Sequence, residues 1–350
     1  MPCRSAITSM SLGRCYAGHA FSRKLDMARL YGFHGIELAY EDLQDVAQQL
    51  PSKSEVHAAM VIRKQCMDRD IEILCLQPFL HYEGLVDRKK HLEHLEKLRH
   101  WFLLVKALGT DMIQIPSNFL HRTQVAQEFH VALDDLRKVA DLGLKEKPPV
   151  RFSYEALCWG TRCNTWEMSW ELVRRVDRPN FGLCLDTFNI AGRVYADPRQ
   201  PKGCAVNCYD ELYSSLTRLV ATVDVRKVFY VQIVDAERLE NPLVEGHEFY
   251  DAEQPAHMSW SRNCRLFYGE TSRGGYLPIF EIANAIFNKL GYQGWVSMEL
   301  FHRRMADKDD NVPNELASRG AAAWSRLVRD MKLVVDVKGR SKTKGRPVTR

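Results

Sequence analysis

The sequence predicts an α/β protein folded as a single (β/α)8 barrel, and three observations carry that prediction. Short runs rich in β-branched and apolar residues occur eight times along the chain. Each gap between them holds a segment whose apolar residues recur at three- and four-residue spacing, the pattern of a helix packed by one face on a sheet. The alternation takes up nearly all of the 350 residues, whereas a doubly wound sheet usually stops at about five or six strands.

In order, the expected strands are 6–12, 35–40, 72–79, 111–118, 150–157, 181–188, 228–235 and 294–301. Segments 88–108, 123–143 and 314–335 are the clearest amphipathic helices. No linker, repeat or low-complexity stretch marks a second domain, so residues 1–337 are expected to form one barrel domain, followed by a basic tail, 338–350. Between the seventh and eighth strands lies a long insertion, 236–293. A loop of that length at the catalytic end of a barrel is read as an active-site cover.

Composition narrows the class. Apolar residues make up 45% of the chain, enough for one large core. No window approaches the ~18 apolar residues a membrane helix needs. The opening "MPCRSAITSMSLGRCYAG" lacks a leucine-rich signal core and reads as the first strand. Ten cysteines form no CxxC pair, and Cys75 and Cys184 lie inside apolar runs, which points to free thiols in a reducing, cytoplasmic setting. The net charge of +5 is concentrated in the tail, whose six Lys/Arg leave the remainder close to neutral. A nucleic-acid partner is therefore not expected; a homo-oligomer is compatible with the composition.

Chemistry in a barrel gathers at the C-terminal strand ends. Near the ends of the last four strands stand Glu155, Asp186, Gln232 and Glu299. One such residue alone reads as a helix cap or an ion-pair partner. Four on consecutive strands, at matching depth, aim at one place. Crowded carboxylates repel and raise each other's pKa, and a divalent cation relieves this. Three carboxylates and an amide oxygen are a hard donor set suited to Mg2+ or Mn2+, with Co2+ as a further candidate, better than to zinc. Glu37 and Gln114 sit earlier in their strands and read as interior hydrogen-bonding residues.

The stretches "YEALCWGTR", "GLCLDTFNIAGRVYADP", "QIVDAERL", "MSWSRNCRLFYGE" and "GWVSMELF" resemble the fungal catabolic 3-dehydroshikimate dehydratases of quinate breakdown, within the xylose-isomerase-like TIM-barrel superfamily. The resemblance runs from about residue 4 to 335. It implies metal-dependent dehydration of 3-dehydroshikimate to protocatechuate, with Glu155, Asp186, Gln232 and Glu299 as metal ligands. Gln232, where sugar epimerases carry histidine, favours the dehydratase branch. Ser261 and Arg265 match substrate-contacting positions, the arginine receiving the substrate carboxylate. Asn189 stands where bacterial relatives have a histidine; unable to titrate, it is expected to orient substrate.

The implied chemistry is enolisation at C4 of the substrate, followed by loss of the C5 hydroxyl as water. Glu155, Glu299, His81 and His247 are the candidates for general acid and base. The helical His91, His94 and His100 read as a solvated surface. Two other classes remain open: a ketose epimerase or isomerase on the same barrel, and, more remotely, a metal-dependent nuclease or nucleic-acid binder using the tail.

Overall fold

The computed structural model describes residues 2–336, so the expected tail, 338–350, lies outside the described residues. Its strands in chain order are β1 (Arg4–Thr8), β2 (Gly35–Ala39), β3 (Glu72–Gln77), β4 (Met112–Pro116), β5 (Arg151–Glu155), β6 (Phe181–Asp186), β7 (Val228–Gln232), β8 (Asp235–Ala236), β9 (Arg265–Leu266) and β10 (Trp295–Met298). All but β8 and β9 are parallel and close into a barrel in the order β1-β10-β7-β6-β5-β4-β3-β2. Each expected strand is present.

Most strands stop two to four residues short of their expected ends. After β1 the chain turns into the 3-10 helix Ser9–Leu12. There the Ser9 hydroxyl accepts from the Ala39 amide, and Ser11 exchanges hydrogen bonds with the Leu300 backbone. Serines able to bond backbone locally favour such turns over a ladder. Helices Arg88–Leu108 and Val312–Met331 match expectation closely, whereas the third runs Phe129–Lys145, starting later than its apolar pattern suggested. Asp87 caps the first of these through the Lys89 and Lys90 amides, and Gly109 ends it in the left-handed conformation (φ 77°).

The main core lies between sheet and helices, as a two-layer barrel requires. Inside the barrel, a second cluster of Ala6, Leu74, Cys75, Met112, Cys184 and Tyr230 fills the cylinder. It forms a dry floor beneath the C-terminal strand ends. All ten cysteines are free thiols, as their positions suggested.

The insertion after β7 is not a bare loop. It carries the antiparallel pair β8–β9, the helix Ala256–Cys264 and the helix Ile279–Asn284. Its course is fastened by Asp235, whose buried carboxylate accepts from the Ala236 and Leu277 amides, and by Trp260, which donates to the Glu237 carbonyl.

Candidate functional site: a buried acid cluster at the barrel mouth

Strand register sets the site. Asp186 on β6 pairs with Gln232 on β7, which in turn pairs with Ser297 on β10, so neighbouring strands present side chains at one level. Glu155 ends β5 beside Pro116 of β4. Glu299 follows directly after β10. Oxygens of Glu155, Asp186 and Glu299 all lie within 4.8 Å of one another, and all three side chains are buried. The three expected carboxylate ligands therefore converge, and Gln232 bonds one of them, Glu299, at 2.9 Å.

Asp186 serves the cluster and also caps a helix, the role that a strand-end acid taken alone would have suggested in place of a site. Asp186 Oδ1 accepts from the Phe188 (2.6 Å) and Asn189 (3.1 Å) amides, opening the helix Thr187–Val194. Its Oδ2 faces the cluster.

A guanidinium lies among the carboxylates. Arg265, 1% exposed, donates from Nη1 to Asp186 Oδ2 (2.7 Å) and Glu299 Oε2 (2.8 Å), and from Nε to Ser261 Oγ (2.9 Å). Nη2 takes part in none of these bonds. Its Cζ lies over the rings of Phe188, at 4.3 Å, and Phe301, at 5.1 Å, both cation–π contacts. Arginine and serine were read as contacts for a substrate; here they first contact each other and the acids. Both come from the insertion, which thereby helps to close the site.

Side-chain amides hold the remaining oxygens. Asn189 Nδ2 donates to Glu155 Oε1 (2.8 Å) and Asp186 Oδ2 (3.1 Å), while its Oδ1 accepts from the Cys158 amide. Asn189 is thus a brace between two acids, a role its non-titrating side chain suits. Gln114 donates to Glu155 Oε2. Gln232 Nε2 donates to Glu299 Oε1 (2.9 Å) and to both oxygens of Glu37, and Gln77 Nε2 reaches Glu299 Oε1 at 3.4 Å. Gln232 therefore turns its nitrogen toward Glu299, while its Oε1 accepts from the Cys184 thiol at 3.3 Å. Glu37 and Gln114 are interior hydrogen-bonding residues, as read. Gln77 was missed, although the same strand-end rule, applied to β3, points to it.

Burial pushes Glu155 well above the usual carboxylate range, and the neighbouring Glu299 and Asp186 push it further. Burial likewise raises Glu299, against the opposing pull of Arg265. Burial alone would lower Arg265, but Asp186, Glu299 and Glu155 together hold it above its ordinary value. One guanidinium cannot neutralise three carboxylates. The donor set fits a divalent cation, because metal–oxygen bonds of ~2.0–2.6 Å let one ion span oxygens up to about 4–5 Å apart.

The histidines lie elsewhere. His81 Nδ1 pairs with Asn118 Oδ1 and its ring packs on Phe119; His247 Nδ1 accepts from the Phe249 amide. Neither hydrogen-bonds an acid of the cluster. His91 is also not a solvated residue: it is 1% exposed, packed against Tyr82 and set 3.2 Å from Asp135.

Residues 25–327 match the model of the xylose isomerase-like TIM barrel. A 3-dehydroshikimate dehydratase of Neurospora crassa is 54% identical over 346 residues, 96% of each chain. The chain belongs to the xylose isomerase-like TIM barrel family, among its 3-dehydroshikimate dehydratases. A Pseudomonas aeruginosa protein of the same name is 31% identical over 80% of this chain, but the match spans only 36% of that longer protein. Among solved structures, a xylose isomerase-like TIM barrel/4-hydroxyphenylpyruvate dioxygenase fusion protein superposes with a TM-score of 0.71 at 25% identity, covering 95% of this chain and 44% of the other. An L-ribulose 3-epimerase superposes at 0.62 with 16% identity, covering 94% of this chain and 96% of that one, which shows shared fold alone. Among the described residues, no helix is long and apolar enough to cross a membrane.

Proposed function

We propose that this chain dehydrates 3-dehydroshikimate to protocatechuate in quinate and shikimate catabolism, using one divalent cation, Mg2+ or Mn2+ before Co2+. What carries the reading is the 54% identity with the Neurospora crassa dehydratase along nearly the whole of both chains, in a chain whose acid cluster is intact. The free cysteines fit a reducing cytoplasm.

Glu155, Asp186 and Glu299 are the residues that would hold the cation, with Gln232 beside them. When bound, the cation supplies Lewis acidity to the ketone oxygen at C3 and the hydroxyl at C4. Glu155 is the better base for the C4 proton. Its oxygens are held by the neutral amides of Asn189 and Gln114, whereas Glu299 lies against the charge of Arg265, which opposes the rise that burial gives its carboxyl. Arg265 offers Nη2 to the substrate carboxylate while Nη1 stays on the acids, and Ser261 fixes the guanidinium plane. The aromatic cover of Phe188 and Phe301 and the apolar floor keep bulk water from this pair.

Incubation with 3-dehydroshikimate and Mn2+ should generate the ultraviolet absorbance of protocatechuate, and EDTA should abolish it. Epimerisation of a ketohexose with no aromatic product would overturn the assignment in favour of the epimerase reading.

A further inference from the structure

We propose that Gln114 Oε1 and Ser153 Oγ together bind one buried water inside the barrel, and that this water fixes the Gln114 amide behind Glu155. Gln114 is then a positioning residue, acting on the chemistry through Glu155. The functional half of the proposal rests on the acid cluster being the working site.

Strand alternation places the pair. Ile113 and Ile115 of β4, and Phe152 and Tyr154 of β5, belong to the core between sheet and helices. Gln114, Ser153 and Glu155 alternate with them and so face the inside of the cylinder. Gln114 and Ser153 are register partners on these neighbouring strands. Met112, two residues below Gln114, is part of the apolar floor. Glu155, two residues above Ser153, lies between the pair and the barrel mouth, so substrate does not reach it.

The two side chains are 2% and 0% exposed, yet Gln114 Oε1 and Ser153 Oγ are buried polar atoms with no hydrogen-bond partner among the described residues. Buried polar groups nearly always have partners, and a bridging water is the usual one when protein supplies none. Neighbouring strands lie about 4.8 Å apart, a span that one water crosses with two bonds of about 2.8 Å. The chemistry is complementary as well. The serine hydroxyl can donate to the water, and the water donates to the amide oxygen, which can only accept.

The other arm of the amide meets the acid: Gln114 Nε2 donates to Glu155 Oε2. An ionised Glu155, the form that would hold a cation, needs that nitrogen, because an amide oxygen there would set lone pair against lone pair. With Oε2 tied to Gln114, Oε1 of Glu155 is the oxygen left on the side of Asn189 and Asp186. Partners placed directly behind the ligands of a metal typically change its affinity by about 10–100-fold when removed.

The test uses the full chain. A crystal structure of the wild type, at a resolution that orders internal solvent, should show a water within hydrogen-bond distance of both Gln114 Oε1 and Ser153 Oγ. By calorimetry, Gln114→Met, which keeps the length of the side chain and removes both polar arms, should weaken Mn2+ binding by about 10–100-fold. Ser153→Ala should weaken it by about two- to tenfold. In the Gln114→Met background, Ser153→Ala should change the affinity by less than about twofold, because the group through which it acts is gone. A direct bond between Ser153 and Gln114 in place of the water, or fully additive losses in the double variant, would overturn the proposal. Should wild type take up no Mn2+, the cation reading fails by itself and the crystal structure still decides the water site. Where Gln114→Met does not fold, the wild-type structure and Ser153→Ala decide it, and unchanged Mn2+ affinity in Ser153→Ala counts against the water as a fixing element.

Discussion

The two ends of the barrel use the same pairing chemistry to different effect. At the N-terminal ends of the strands, Arg4 grips Glu72 with both nitrogens and stacks on Trp295, and Arg151 forks onto Asp111. These ions are open to water; Arg151 and Asp111 are 39% and 42% exposed. At the C-terminal ends, the side chains of Arg265 and Asp186 are 2% and 0% exposed. Removing a partner from an exposed pair costs about 0–1 kcal/mol, while removing one from a buried pair strands a charge and costs about 3–5 kcal/mol. The N-terminal end holds the cylinder together with dispensable pairs. The C-terminal end concentrates charge that no packing requirement explains.

Substitutions should expose that asymmetry, and the sharpest loss is expected in turnover. Glu155→Gln and Glu299→Gln should each lower protocatechuate formation by about 10²–10⁴-fold, the range of a lost acid–base group, while Asp111→Asn at the other end leaves it within a factor of about two. Equal losses at both ends would break the contrast.

Stability comes next. In EDTA, Arg265→Met should cost about 3–5 kcal/mol in urea unfolding, against about 0–1 kcal/mol for Arg151→Met. Comparable costs would mean that the cluster is solvated in solution. For the wild type, saturating Mn2+ at about 100 times its dissociation constant should add about 2.7 kcal/mol, and that gain should vanish in Glu299→Gln.

A smaller effect sharpens the comparison with a carboxyl away from either end pair. Glu83, on the segment after β3, is 3% exposed and burial pushes it up to about 7; Oε1 accepts from the Asn118 amide and Tyr154, whereas Oε2 has no partner. An acid whose folded pKa exceeds its unfolded value binds more protons when folded. Its contribution is therefore intact below the unfolded value, near about 4.3, and is lost as pH rises toward about 7. Glu83→Gln should then match wild type near pH 4 and exceed it by up to about 3 kcal/mol near pH 8, measured by unfolding across that range. A constant difference would rule out the titration. Deleting residues 338–350 should have the least effect, with turnover unchanged within about twofold. The last described residues lie against Cys3 and Arg4, at the end opposite the site.

How much of this was legible in the sequence follows from which interactions are local. Apolar runs revealed all eight barrel strands, since a buried parallel strand must be apolar throughout. Strand ends were overread, because Ser9, Thr187 and Glu299 stay buried after the ladder has stopped and so look like strand. Glu155, Asp186, Gln232 and Glu299 could be singled out because strand number and depth fix where a side chain arrives. Arg265 could not be paired from sequence, since its place depends on how a fifty-eight-residue insertion, 236–293, folds back over the mouth. The same limit misplaced His91, read as a solvated surface residue, whose helix turns it inward against Asp135.

Asp186 spends one oxygen on the start of a helix and the other on the acids, so fold and chemistry meet in a single carboxyl group. Its short stem is what lets it reach amides two and three positions onward; the added methylene of glutamate would force a choice between those duties. Replacement there should unsettle the helix Thr187–Val194, and with it the Asn189 brace and the Phe188 ring over Arg265. Position 186 should accordingly tolerate less variation than any other acid in the ring.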